Sequence, residues 1–90
     1  MSHVELLYTK SAFRDLKRLD KHMALRIVAE IKERSDMPNP LQSAKALHGS
    51  LAGWYRYRIG NYRAIFSFDA GTIRVLTVLR IRHRKDVYRN

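Results

Sequence analysis

The chain has 90 residues, of which 46% are hydrophobic, and its 18 Lys and Arg against 8 Asp and Glu give a net charge of +10. This length and apolar content fit one domain with a modest core, so we expect a single domain spanning residues 1–90. The absence of cysteine excludes disulfides and thiolate zinc sites. No segment reaches the ~20 apolar residues of a membrane span and no signal peptide is recognisable. The cytoplasm is therefore the expected location.

The positive charge is concentrated in the second half of the chain. Residues 54–90 hold nine basic and two acidic side chains, a net of +7, whereas residues 1–53 hold nine and six, a net of +3. Eight of the nine basic residues in the second half are arginine, whose planar fork suits phosphate better than a lysine ammonium does. The distribution indicates a polyanion partner, nucleic acid first. The alternative is a solvated basic surface.

The first half of the chain predicts a strand followed by two helices. Residues 3–8 alternate in polarity, which is typical of a half-buried strand. Apolar spacing then predicts a helix capped by Thr9 or Ser11, and a second helix over Lys21–Arg34 capped by Asp20. The short connection makes the two helices an antiparallel hairpin. The side chains expected in the core are Ala12, Phe13, Leu16, Leu19, Met23, Ile27, Val28 and Ile31.

Residues 39–53 are irregular, and we expect a packed loop that can include a helical turn. Residues 54–68 predict a β-hairpin, because alternating aromatic and β-branched residues flank Gly60–Asn61, a favoured two-residue loop. This register sets Arg58 opposite Arg63, and like charges across a ladder repel each other. The pair, with Arg56 beside it, therefore predicts a bound anion on that face.

Residues 73–81 form the strongest predicted strand, after a turn at Ala70–Gly71 that pairs Phe68 with Ile73 and Phe66 with Val75. Its core-facing side chains would be Ile73, Val75, Thr77, Leu79 and Ile81. The opposite face of the sheet would collect Arg56, Arg58, Arg63, Arg80 and Arg82.

The predicted fold class is α+β. It consists of an N-terminal strand, a helix hairpin and a three-stranded antiparallel meander in one sheet, followed by a short C-terminal helix or tail. The helices should cover one face of the sheet and leave the other as a basic, open face.

The open face suits RNA, and a metal or cofactor is not expected. The four histidines share no ligand spacing and no Gly-rich phosphate loop is present. Metal-free RNA cleavage needs a base, cations on the phosphate and a proton donor. Arginines supply the cations, while His83 and Tyr88 are the nearby side chains able to transfer protons. Trp54 or Tyr88 can stack on bases.

Each of these residues has an alternative structural role. Tyr88 can anchor the tail on the sheet, and His83 can be a surface residue or a helix cap. Trp54 can be a packing residue. Arg80 can pair with Asp86.

A resemblance to a known family extends over nearly the whole chain and is most specific in its second half. The chain resembles the RelE branch of the RelE/ParE toxin superfamily in the run Leu47-x-Gly49-x-Leu51-x-Gly53-Trp54-Tyr55-Arg56-Tyr57-Arg58, in Tyr62-Arg63, and in His83-Arg84-Lys85-Asp86-Val87-Tyr88. The resemblance implies a toxin of a type II toxin–antitoxin pair that cuts mRNA in the ribosomal A site, without metal, through attack of the 2′-hydroxyl. It also implies a RelB-like antitoxin as partner and a toxin–antitoxin complex that binds operator DNA through the antitoxin.

The same resemblance implies the site residues. Those that match the family's active face are Arg56, Arg58, Arg63, Arg82 and Tyr88. The family has lysines where this chain has Arg56 and Arg58, and arginine stays protonated in proteins. The base role therefore shifts to Tyr88 or His83. Further RNA contacts are expected from Trp54, Arg80, Arg84 and Lys85. The alternatives are a ParE-like poison of DNA gyrase and an inactive RNA-binding or corepressor homologue.

Overall fold

A computed structural model describes residues 4–87 of the chain. Within these residues, one five-stranded sheet has the strand order β1-β5-β4-β3-β2, in which only β1 and β5 are parallel. The elements in chain order are β1 (Val4–Tyr8), α1 (Lys10–Lys17), α2 (Lys21–Ser35), β2 (Ala44–Ala46), a 3₁₀ turn (Gly49–Leu51), β3 (Tyr55–Ile59), β4 (Tyr62–Ala70), β5 (Arg74–His83) and α3 (Arg84–Val87). The predicted α+β class is confirmed. The edge strand β2 was not predicted, because we expected a loop there.

Both helices begin at the predicted caps. The Thr9 side chain accepts a hydrogen bond from the Ala12 backbone nitrogen at 3.1 Å, and the Asp20 carboxylate accepts one from the His22 nitrogen at 2.8 Å. Such side-chain acceptors satisfy amides that have no partner inside the first helical turn. The second helix ends at Ser35, one residue beyond its predicted end.

The core lies between the two helices and one face of the sheet. Ala12, Ile27 and Ile31 are fully buried as predicted, against Tyr57 and Phe66 of the sheet. Of the other predicted core residues, Leu16 belongs to this cluster, and Leu19 and Met23 are partly buried against it.

Phe13 and Val28 were wrongly expected in the core, since 55% and 38% of their surfaces are exposed. Phe13 follows Ala12, so it lies ~100° further round the helix than the residue that contacts the sheet. Phe13 and Val28 instead line an open groove of about 350 Å³ between α1 and α2, together with Leu25.

The first hairpin has the predicted register. Tyr57 lies opposite Ala64, and Arg58 lies opposite Arg63. Gly60 adopts a φ of 58°, the left-handed conformation that this tight turn requires.

The predicted register of the second hairpin is wrong. Phe68 pairs with Leu76 rather than Ile73, and Phe66 pairs with Val78 rather than Val75. The loop contains three residues, Gly71 to Ile73, and the Asp69 carboxylate closes it by accepting from the Gly71 nitrogen at 3.0 Å. Consequently Leu76 and Val78 belong to the core in the first part of this strand. The residues wrongly expected in the core are Ile73, Val75, Thr77 and Leu79.

A β-bulge at Leu79 changes which side chains of β5 face the core. Ile65 pairs with Arg80 while its neighbour Phe66 pairs with Val78, so Leu79 is the extra residue. Past the bulge the alternation is shifted by one. Ile81 therefore reaches the core as predicted, and the arginines on either side of it turn to the open face.

Candidate functional site

Three arginines lie side by side across β3, β4 and β5. Arg58 is opposite Arg63, and Arg63 is in turn opposite Arg82. Directly opposed residues of antiparallel strands project from the same face, with Cβ atoms ~4.5–5.5 Å apart. Their face is the one away from the helices, because Tyr57 and Ala64, the neighbours of Arg58 and Arg63, point into the core. We call Arg58, Arg63 and Arg82 the arginine row.

A second row of residues crosses the same face one step along the sheet. It runs from Lys45 on β2 through Arg56 on β3 and Ile65 on β4 to Arg80 on β5. Lys45 is exposed and was not among the predicted site residues, because a loop was expected in its segment. The short alternation Ala44-Lys45-Ala46 was the signal that could have revealed this edge strand.

The three members of the arginine row differ in exposure. Arg58 is exposed, Arg82 is partly buried and Arg63 is only 4% exposed. Arg63 Nη1 donates to the Tyr62 carbonyl at 3.1 Å and, more weakly, to the Gly60 carbonyl at 3.5 Å. The hairpin loop therefore holds the central guanidinium, while Arg58 remains open to solvent beside it.

An acidic side chain from the helix layer reaches Arg80. Asp15 of α1 is 9% exposed and accepts hydrogen bonds from Arg80 Nε at 2.8 Å and Arg80 Nη2 at 3.2 Å. It also accepts one from the Ile81 backbone nitrogen at 2.9 Å. The observed carboxylate partner of Arg80 is therefore Asp15, which was not among the predicted partners.

These contacts decide the ionisation of the Asp15–Arg80 pair. Burial alone would raise the pKa of the Asp15 carboxyl, but the hydrogen bonds from Arg80 and the Ile81 N–H, with the charges of Arg80 and Arg82, hold it below its ordinary value. The hydrogen bond to Asp15 raises the pKa of the Arg80 guanidinium. Asp15 is thus a carboxylate at neutral pH.

His83 lies on the face opposite the arginine row. It pairs with Tyr62, on the side that carries the core residue Ala64, and its ring meets the Tyr62 ring edge-on at 5.3 Å. Its Nδ1 accepts from the Lys85 nitrogen at 3.2 Å, at the beginning of α3. His83 therefore caps α3, one of the structural alternatives predicted for it.

The remaining candidate residues lie at the ends of the sheet. Arg84 and Lys85 are exposed on α3, whose first nitrogen donates to the Asn61 carbonyl at 2.7 Å. Trp54 directly precedes β3 and is 39% exposed. Tyr88 follows α3 and lies outside the described residues.

Two classes of feature are absent from residues 4–87. No group of three or more His, Asp or Glu side chains is arranged to hold a metal ion. No helix in this part of the chain has the length and apolar character needed to cross a membrane.

Comparison with known proteins identifies the family. A family model described as the ParE toxin of type II toxin–antitoxin system, parDE, matches residues 6–88. Toxin RelG of Mycobacterium tuberculosis is 35% identical over 82 residues, which cover 91% of this chain and 92% of RelG. Toxin RelE3 of Methanocaldococcus jannaschii is 30% identical over 91 residues, covering 94% of this chain and 96% of RelE3.

A solved structure agrees with these relatives. The toxin–antitoxin complex RelBE2 from M. tuberculosis contains a chain that superposes with a TM-score of 0.74 at 30% identity, covering 89% of this chain and 96% of that one. The sequence and the fold thus point to the same group of proteins. The chain belongs to the RelE/ParE family of type II toxin–antitoxin toxins.

Proposed function

We propose that this toxin is an endoribonuclease that enters the ribosomal A site and cuts the mRNA there, stopping translation in the cytoplasm. The observation that carries the proposal is the arginine row, three arginines in register on the sheet face away from the helices. The relatives named RelG and RelE3 support the RelE branch of the family.

The reaction that we propose needs no metal. The 2′-oxygen of one nucleotide attacks the adjacent phosphorus, the bond to the 5′-oxygen breaks, and the products are a 2′,3′-cyclic phosphate and a 5′-hydroxyl. Negative charge grows on the phosphate oxygens as the bond forms. Arg58 and Arg63 hold this phosphate, and Arg82 stabilises the departing 5′-oxygen.

In this proposal Tyr88, as a phenolate, takes the proton of the 2′-hydroxyl and returns it to the departing 5′-oxygen. Arg58 stays protonated and cannot act as a base. His83 was the other candidate, but its ring packs on Tyr62 on the far side of the sheet and its Nδ1 already accepts from the Lys85 nitrogen. Tyr88 comes directly after α3 in the sequence, and an arginine placed beside it would favour its phenolate form.

Residues around the arginine row would hold the flanking nucleotides. Arg56 and Lys45 continue the basic surface towards β2, and the exposed Arg84 and Lys85 of α3 add positive charge at the end of β5. Trp54, with its partly exposed ring, is the proposed stacking platform for a base.

The partner that we propose for the toxin is a RelB-like antitoxin. Support comes from similar structures described as RelBE2 from M. tuberculosis and as a RelB–RelE antitoxin–toxin complex. The antitoxin would block the basic face, and the complex would bind operator DNA through the antitoxin.

The chemistry of the cut ends tests the proposed reaction. Purified toxin is added to ribosomes programmed with a defined mRNA, and the downstream fragment is treated with polynucleotide kinase and labelled ATP without prior phosphatase. Attack by the 2′-hydroxyl leaves a 5′-hydroxyl, so the fragment should label directly. A fragment that labels only after phosphatase treatment carries a 5′-phosphate and would contradict the mechanism.

Inhibition of DNA gyrase is the second candidate function, because the matching family model carries the ParE description. A supercoiling assay with purified gyrase separates the two. The nuclease proposal predicts no inhibition of gyrase at toxin concentrations that give complete mRNA cleavage.

A further inference from the structure

Asp15 connects the helix layer to the strand that carries two of the site's arginines. It is 9% exposed, and its carboxylate accepts three hydrogen bonds, two from the Arg80 guanidinium and one from the Ile81 backbone. A carboxylate is rarely buried in a small core unless it is paired and hydrogen-bonded. The position of Asp15 therefore calls for a role beyond covering the sheet.

Asp15 provides a hydrogen-bond acceptor to β5 beyond the point where its pairing with β1 ends. The β1–β5 ladder ends with Tyr8 opposite Val78, and Thr9 then bonds to the carbonyls of Val78 and Leu79 at 3.0 and 2.8 Å. The strand β5 continues past the bulge to His83. Its Ile81 N–H donates to Asp15, so α1 holds the end of the strand that carries Arg82.

Asp15 also fixes the orientation of Arg80. A guanidinium has five N–H donors in a planar fork. Asp15 takes the Nε–H and one Nη2–H of Arg80, at 2.8 and 3.2 Å, so the edge formed by Nη1 and the other Nη2–H points away from the carboxylate. The Arg80 side chain is still 39% exposed. That outer edge has the geometry for bidentate binding of a phosphate.

We propose that Asp15 is a positioning residue of the RNA site, which presents the outer edge of Arg80 to an RNA phosphate and holds the end of β5 that carries Arg82. The inference rests on the proposed function in one respect only, which is that the bound anion is RNA. According to this proposal Asp15, although negatively charged, increases the affinity of the protein for RNA.

The test uses an RNA oligonucleotide with 2′-O-methyl groups throughout, which the proposed reaction cannot cut. Its dissociation constant is measured at several salt concentrations for wild type, Asp15→Asn, Arg80→Ala and the double variant. We expect each single variant to bind about tenfold more weakly and to lower the salt slope by about 0.7, the value for one phosphate contact on a single strand. The asparagine introduced at position 15 keeps an oxygen that can accept from the Ile81 N–H, so the double variant should bind no more weakly than Arg80→Ala alone.

Simple charge repulsion predicts the opposite sign for Asp15→Asn. Removing a negative charge near arginines should strengthen RNA binding if Asp15 has no positioning role. Binding by Asp15→Asn that equals or exceeds wild type would overturn the inference. So would a double variant whose loss is the sum of the single losses. Asp36→Asn is the matched control, because Asp36 is exposed and pairs with exposed Lys32 at 2.8 Å; it should bind like wild type.

A second variant keeps the test decisive if Asp15→Asn does not fold. Arg80→Lys retains the positive charge but cannot offer one edge to a carboxylate and another to a phosphate. We expect it to bind RNA about as weakly as Arg80→Ala, and wild-type affinity would overturn the inference. The two proposals can fail independently. If the nuclease proposal is wrong, mRNA on the ribosome stays uncut, but the differences in RNA affinity between the variants remain.

Discussion

Arg58 lies directly opposite Arg63 in the β3–β4 ladder, on the sheet face away from the helices. Two like charges in this relationship destabilise a sheet by up to ~1 kcal/mol. The fold adds a third arginine, because Arg82 continues the row on β5. A bound phosphate would relieve the repulsion. The same repulsion that destabilises the free protein would therefore favour phosphate binding at the arginine row.

The first prediction is that Arg58→Ala has opposite effects on activity and stability. Arg58 is exposed, so its loss removes repulsion without opening the core, and the free energy of unfolding should rise by a few tenths of a kcal/mol. Cleavage of ribosome-bound mRNA should fall ~10²–10³-fold, as for loss of one group that stabilises transition-state charge. Thermal melting and single-turnover cleavage measure the two effects.

Arg74→Ala is the control for this variant. Arg74 lies at the other end of β5, where its Nη2 donates to the Pro38 carbonyl at 3.2 Å and its guanidinium lies over the Phe68 ring. It should cut at the wild-type rate. An Arg58→Ala protein that is folded and fully active would remove the arginine row from the mechanism.

The second prediction concerns Lys45, at the β2 end of the second row. Lys45→Ala should weaken binding of uncleavable RNA and lower the salt slope by about 0.7, because one phosphate contact is lost. Cleavage at saturating toxin should be unchanged, since Lys45 belongs to the second row and holds a flanking nucleotide in this proposal. Lys21 is also exposed, at the start of α2, and Lys21→Ala should leave both quantities as in wild type.

The third prediction separates the two proton-transfer candidates. Tyr88→Phe should lower the cleavage rate ~10²–10⁴-fold, the usual contribution of general acid–base catalysis. His83→Gln should retain most of the rate and the wild-type pH profile, because His83 packs on Tyr62 on the other face. The rates are measured from pH 6 to 9 under single-turnover conditions. If the His83→Gln variant loses the pH dependence of the cleavage rate, His83 and not Tyr88 is the residue that transfers the proton.

The fourth prediction compares two tyrosine hydroxyls. Burial raises the pKa of both Tyr57 and Tyr8 to about 12. The Tyr57 hydroxyl donates to the Pro40 carbonyl at 2.7 Å, whereas the buried Tyr8 hydroxyl has no hydrogen-bond partner within residues 4–87. Tyr57→Phe should therefore lower the free energy of unfolding by ~1–3 kcal/mol, and Tyr8→Phe should be neutral or stabilising. Urea denaturation of both variants checks the difference.

The fifth prediction is that the free energy of unfolding depends on pH through the ionisation of Asp15. Its pKa in the folded protein lies below the ordinary 3.8, so its contribution is complete above that value and is lost as the pH falls through the folded pKa. Asp15→Asn should be less stable than wild type at pH 7, with the gap closing below about pH 4. A gap that stays constant down to pH 2 would show that the Asp15 charge has no part in stability.

The first hairpin could be predicted residue by residue, because Gly60–Asn61 admits one tight turn and the flanking residues alternate cleanly. The second hairpin could not. Around residues 73–81 both alternating sets contain apolar side chains, Val75 and Leu79 in one and Leu76 and Val78 in the other. Alternation therefore cannot choose between them. The bulge at Leu79 depends on packing against distant elements rather than on a local signal.

The site could be predicted only in part, because some of its residues depend on contacts between elements that are distant in sequence. Arg56 and Arg58 follow from their strand, whereas Lys45 belongs to a three-residue edge strand that exists only beside β3. Asp15 carried a signal that could have been used. It lies three residues after Ala12 and one before Leu16, on the buried side of α1, where an acidic residue needs a partner.

The central claim is that the toxin cuts mRNA on the ribosome through the arginine row. Its most direct test is induced expression of wild type and Arg58→Ala, followed by genome-wide mapping of mRNA 5′ ends. The account predicts new 5′ ends within codons of translated regions for wild type, which disappear when translation initiation is blocked and are absent from Arg58→Ala. Growth arrest by wild type without new mRNA ends, or identical cuts by Arg58→Ala at equal protein levels, would contradict it.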